Sequence, residues 1–118
     1  MVLRVLVVQS RPEVARVLSA ALVDAGLETV VLADGNAVLD AVEACRPRVV
    51  VVDLTLPALD GWYVLAAVGS LPAPPLIVVR VTGAQDVARA TALGADAWVE
   101  DDVHVVAAAG RLMPSIAA

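Results

Sequence analysis

Apolar and polar positions along this chain follow two periods in alternation, and together they predict a regular series of elements. Val2 to Val8 is a short run rich in β-branched residues that ends at Gln9-Ser10-Arg11-Pro12. It reads as a strand, a loop and a helix whose first turn takes the proline. From Glu13 the apolar positions Val14, Val17, Leu18, Ala21 and Leu22 recur at helical spacing, with Gly26 where a C-terminal cap is expected. Leu27 to Ala33 is a second strand, followed by Asp34 or Asn36 as a cap and by a helix that turns Val38, Leu39 and Val42 inward and closes at Cys45.

Val49-Val50-Val51-Val52 is continuously apolar, the signature of a central strand covered on both faces. A third helix runs from about Trp62 to Val68, and Pro72, Pro74 and Pro75 separate it from a fourth strand at Leu76 to Val79. An Ala-rich helix from Gln85 to Leu93 stops at Gly94. Ala97-Trp98-Val99 makes a short fifth strand, and Val103 to Met113 a last helix. Strands alternating with helices imply an α/β fold built on an open, doubly wound parallel sheet of five strands. In such sheets function gathers beyond the strands' C-terminal ends. The positions to inspect are therefore Gln9-Ser10, Asp34, Asp53, Arg80 to Thr82 and Glu100-Asp101-Asp102.

Composition narrows the function. Hydrophobic residues make up 60% of the 118 positions, Ala and Val alone fill 48, and Phe is absent. A sizeable core of small and branched aliphatics is assured, in one domain spanning residues 1–118, and disorder is excluded. The 13 acidic residues outnumber the 8 basic ones, for a net charge of −5, which disfavours direct binding to a nucleic-acid backbone. All eight basic residues are Arg. The absence of lysine removes Schiff-base chemistry and any site that needs an ammonium point charge. One Cys and one His exclude an intramolecular disulfide and the usual zinc clusters. No apolar run is long enough to span a bilayer, and Arg4 and Arg11 interrupt the N-terminus too early for a signal peptide, so a cytoplasmic location is expected.

Asp53 is the sharpest chemical feature, a carboxylate placed directly after four valines, where it needs a partner or solvent. Taken alone it reads first as a carboxylate that caps a loop, since Asp after a strand is common in turns. The segment Val49-Val-Val-Val-Asp53-Leu-Thr-Leu-Pro57-Ala-Leu-Asp60-Gly61-Trp resembles the third-strand signature of bacterial response-regulator receiver domains. Gly94-Ala95-Asp96-Ala97-Trp98 resembles the segment leading into that family's fifth strand, and Val5 to Val8 with Pro12-Glu13 resembles its opening. The resemblance covers essentially the whole chain and implies a CheY-like, flavodoxin-like (βα)₅ signalling domain rather than an enzyme. It implies a two-component system in which Asp53 accepts a phosphoryl group from a histidine kinase.

Several parts of that family's chemistry are missing. The resemblance implies an acidic pair after the first strand to hold Mg²⁺, and Gln9 and Ser10 stand there instead. It implies a lysine after the fifth strand, at the place of Asp101. It implies a Ser or Thr at the end of the fourth strand, where either Arg80 or, on the shorter spacing to Gly94, Thr82 falls. Thr55 matches a position that lends only its backbone carbonyl to the metal. Trp98 matches the aromatic that swings inward on phosphorylation.

With a cation at Arg80 and an anion at Asp101, the pocket would have exchanged charges, and Arg80 is expected to link Asp53 and Asp101 in bidentate geometry. Mg²⁺ binding is expected to be weak or absent, with no other cofactor. The expected function is a degenerate receiver that acts without phosphorylation through protein contact. The alternative is a working phosphoacceptor at Asp53. The face of the fourth helix, fifth strand and fifth helix suggests a homodimer surface. Trp62 reads as a packing residue at a helix start, Glu100-Asp101-Asp102 as a solvated acidic edge, and His104 as an ordinary helical residue.

Overall fold

A computed structural model of the chain describes residues 3–55 and 60–112. Five parallel strands, β1 (Arg4–Val8), β2 (Glu28–Leu32), β3 (Val49–Asp53), β4 (Leu76–Arg80) and β5 (Ala97–Val99), form one sheet in the order β2-β1-β3-β4-β5. The helices between and after them are α1 (Pro12–Asp24), α2 (Val38–Cys45), α3 (Gly61–Gly69), α4 (Val87–Ala92) and α5 (Val105–Leu112). The chain starts in the middle of the sheet, moves to one edge and crosses back, so β1 and β3 lie side by side inside it.

Strand parity divides the core in two. Leu6, Val8, Val50, Val52, Ile77 and Val79 point to one face, where Val38, Val64, Leu65, Val68 and Ala90 of α2, α3 and α4 cover them. Val5, Val7, Val49, Val51 and Val78 point to the other face, under Leu18 and Leu22 of α1 and Val105 and Ala108 of α5. All five β3 residues are buried, which is why the four valines read as an unbroken apolar run. Removing such a side chain from water contributes roughly 1.5–3 kcal/mol each.

Three helix starts depart from expectation. Neither Asp34 nor Asn36 caps α2; the Asp34 carboxylate instead accepts from the Asn36 N–H in a turn before the helix, and Ala37 takes the N-cap place. The helix therefore starts later than its capping signal, and Leu39 faces outward with 42% exposure rather than packing inward. The segments expected to begin the fourth and last helices open as single 3₁₀ turns, Ala84–Asp86 and Asp102–His104, before α4 and α5. Met113, expected to close the last helix, lies outside the described residues. No helix among the described residues is long and apolar enough to cross a membrane.

Candidate functional site

Parallel pairing delivers the ends of β1, β3 and β4 to one rim. Val8 pairs with Val52, Val52 with Val79 and Asp53 with Arg80, so the residues that leave the sheet next to one another are Gln9, Asp53 and Arg80. Gly61 at the start of α3 packs on the same point: a methyl group there would sit 2.6 Å from the Asp53 carbonyl oxygen. Only a residue without a side chain lets α3 come that close to the strand carrying the carboxylate.

Asp53 is buried, with 3% of its surface exposed, and both its oxygens are occupied. Oδ1 accepts from the Thr55 backbone N–H at 2.8 Å and from the Thr55 hydroxyl at 2.6 Å. Oδ2 accepts from Gln9 Nε2 at 3.1 Å and from Arg80 Nη1 at 3.3 Å. Arg80 Nη1 also donates to Thr55 Oγ1 at 3.1 Å, which closes a ring of Asp53, Thr55 and Arg80. The burial of an ionised carboxylate is thus compensated by a cation and three neutral donors.

Gln9, itself only 3% exposed, is oriented by its other end. Its Oε1 accepts from the Arg11 backbone N–H at 3.1 Å, a contact that only the oxygen of the amide can make. The NH₂ group therefore faces Asp53. Gln9 serves Asp53 as a hydrogen-bond donor. Ser10 follows it, partly buried, and is not among the partners of Asp53.

The expected bridge from Arg80 to Asp101 does not form. Arg80 reaches Asp102 instead, with Nε 3.5 Å from Oδ1, beyond hydrogen-bond geometry, and this buried Nε has no hydrogen-bond partner among the described residues. It meets Asp53 through one nitrogen rather than as a bidentate fork. Backbone direction explains the change. Asp101 is extended (φ −142°, ψ 162°), and adjacent side chains of extended backbone diverge. Asp101 turns outward to His104 Nδ1 at 2.8 Å, and Asp102 turns in. His104 accordingly has a partner, in the 3₁₀ turn rather than in the last helix.

Thr82 lies exposed beyond β4, away from these contacts, so Arg80 is the strand-end residue that meets Asp53. Trp98 pairs with Val79 in β5 and is 43% exposed. Trp62 packs against the core, and the Arg89 guanidinium sits 4.0 Å above its ring. Thr55, to which the resemblance assigned only a backbone role, makes three of the site's hydrogen bonds. The spacing Asp-x-Thr carried that signal, since an Asp carboxylate readily accepts from the N–H two residues on.

Burial pushes the Asp102 carboxyl above its usual range, against the downward pull of Arg80, and the nearby Asp53 adds to the rise. The native state therefore holds the Asp102 proton more tightly than the unfolded chain does. The stability this contributes is fully present below the ordinary carboxylate range and is lost as pH rises through the raised value. Asp102→Asn is expected to remove that acid-side term. The difference between the unfolding free energies of native protein and variant, measured by urea titration from acid to neutral pH, should slope only in that window.

Residues 5–109 match the response regulator receiver domain family. The chain is 34% identical to the DNA-binding response regulator MtrA of Mycolicibacterium smegmatis over 97 residues, 81% of this chain and 42% of that protein. It is 32% identical to the transcriptional regulatory protein YxdJ of Bacillus subtilis over 98 residues, 82% of this chain and 43% of that protein. The chain thus spans less than half the length of these relatives. Among solved structures, the receiver domain of a response regulator from Bermanella marisrubri superposes with a TM-score of 0.82 at 21% identity, over 96% of this chain and 99% of that one. A sensor protein from Polaromonas gives 0.81 at 22% identity, over 97% and 98%.

Proposed function

The chain belongs to the response regulator receiver domain family of two-component signalling, and we propose that it is a receiver whose output does not depend on phosphorylation of Asp53. The observation that carries this reading is the Arg80 guanidinium 3.3 Å from Asp53 Oδ2. Phosphoryl transfer to a carboxylate depends on positioning and on neutralising charge as the transition state forms. In this pocket a cation already offsets the carboxylate charge in the resting state, and each carboxylate oxygen accepts from two donors. Gln9 and Thr55 reinforce that arrangement.

Mg²⁺ does not suit this donor set. The ion requires hard oxygen ligands in near-octahedral array. Around Asp53 it would face the Gln9 NH₂ group and a guanidinium, with Ser10 as the only other side chain at the family's acidic pair. Divalent-ion affinity is therefore low. Titration with Mg²⁺ and beryllofluoride, followed by Trp fluorescence, is expected to leave the emission of Trp98 and Trp62 unchanged. A saturable one-to-one response would contradict the reading.

Output then passes through protein contact from a fixed shape. Trp98 on β5 and Val103 ahead of α5, 43% and 84% exposed, offer apolar surface on the side of α4, β5 and α5. Self-association through that face is expected to raise the weight-average mass with concentration in sedimentation, and Trp98→Arg to abolish the rise. A strict monomer at high concentration would remove the dimer from the account.

A further inference from the structure

At the opposite end of the sheet from Asp53, a groove of ≈ 620 Å³ opens between the C-terminus of α2 and the segment entering β4. Arg46, Arg48 and Glu43 line it, with Pro74, Pro75 and Leu76 supplying apolar wall. Both arginines stand exposed, and neither has an ion-pair partner among the described residues. Arg46 is also held at φ 49°, ψ 57°, the left-handed conformation that glycine adopts freely and that arginine does not favour. Pro47 follows directly and restricts its neighbour's backbone further. A cation there complements the end of α2, but that accounts neither for Arg48 nor for the apolar wall beside the pair.

We propose that this groove docks an acidic, partly apolar peptide segment of a partner protein. Its carboxylates would meet the guanidiniums of Arg46 and Arg48, and its aliphatic side chains would lie on Pro74, Pro75 and Leu76. Free phosphate would use the cations and leave that wall uncovered. A nucleobase finds no aromatic ring in the lining to stack on. The site lies a full strand length from Asp53 and does not depend on the state of that carboxylate.

The test is fluorescence anisotropy with a labelled Glu-Leu-Glu-Leu-Glu peptide titrated into the whole chain, with Gln-Leu-Gln-Leu-Gln as control and inorganic phosphate as competitor. Saturable binding that weakens with salt is expected. The double variant Arg46→Gln with Arg48→Gln should lower affinity about tenfold. Glu43→Gln, which removes the one repelling carboxylate in the lining, should raise it about twofold. Arg46→Gly should weaken binding while leaving the thermal midpoint unchanged or higher. Equal binding of the glutamine peptide, indifference to the double variant, or full displacement by phosphate would overturn the proposal. A lowered midpoint in Arg46→Gly would also count against it, by making Arg46 a stabiliser of the helix end.

Discussion

Replacing Arg80 by methionine should destabilise the protein by about 2 kcal/mol. The substitution keeps most of the apolar stem, so the loss isolates the charge. Breaking a buried ion pair typically costs about 3–5 kcal/mol because the remaining charge is left uncompensated. Here the effect is smaller, because Arg80 keeps 22% of its side-chain surface in solvent and Asp53 retains its donors from Thr55 and Gln9. For a chain of this size the thermal midpoint should fall by roughly 8 °C. Asp53→Asn removes the charge that Arg80 offsets, so the double variant should lose less than the sum of the two single variants. A coupling of at least about 1 kcal/mol is expected from the cycle. Additive single effects would mean that the Asp53–Arg80 contact does not organise the pocket.

The second large effect is a gain. Restoring the family's expected side chains with Gln9→Asp, Ser10→Asp, Arg80→Thr and Asp101→Lys together should create a divalent-ion site and a competent phosphoacceptor. Without metal the three clustered carboxylates repel one another, and the variant should be less stable than the native protein. Mg²⁺ at ten times its dissociation constant should recover about 1.4 kcal/mol by mass action. The native protein should show no comparable stabilisation. Equal Mg²⁺ stabilisation of both proteins would place a working ion site in the native pocket.

The sheet and its order of elements were readable because the signals were physical constraints of long range. The four valines of β3 had to be covered on both faces, and the switch from strand to helical period recurred after each strand. Gly94, which follows α4 at φ 114°, and Gly26, at φ 90°, stopped their helices where the sequence placed the stops. The site was legible as a set of positions but not as a set of contacts. Whether Asp101 or Asp102 reaches Arg80 turns on one pair of backbone angles beyond a three-residue strand, and no periodicity reports those. The amide of Gln9 is turned by the Arg11 N–H, a backbone group silent in the sequence. Of the three apolar positions of α2, Val38 and Val42 meet the core and Leu39 lies outside that stripe, a difference that a helix of eight residues is too short to report by periodicity.

The central claim is that the resting pocket already supplies the neutralising charge, so that Asp53 does not take up a phosphoryl group. Intact-mass spectrometry after incubation with acetyl phosphate and Mg²⁺, run side by side on the native chain and on the fourfold variant, tests this most directly. The account predicts an unmodified native chain under conditions that add one phosphoryl group to the variant. Stoichiometric phosphorylation of the native chain at Asp53 would contradict it.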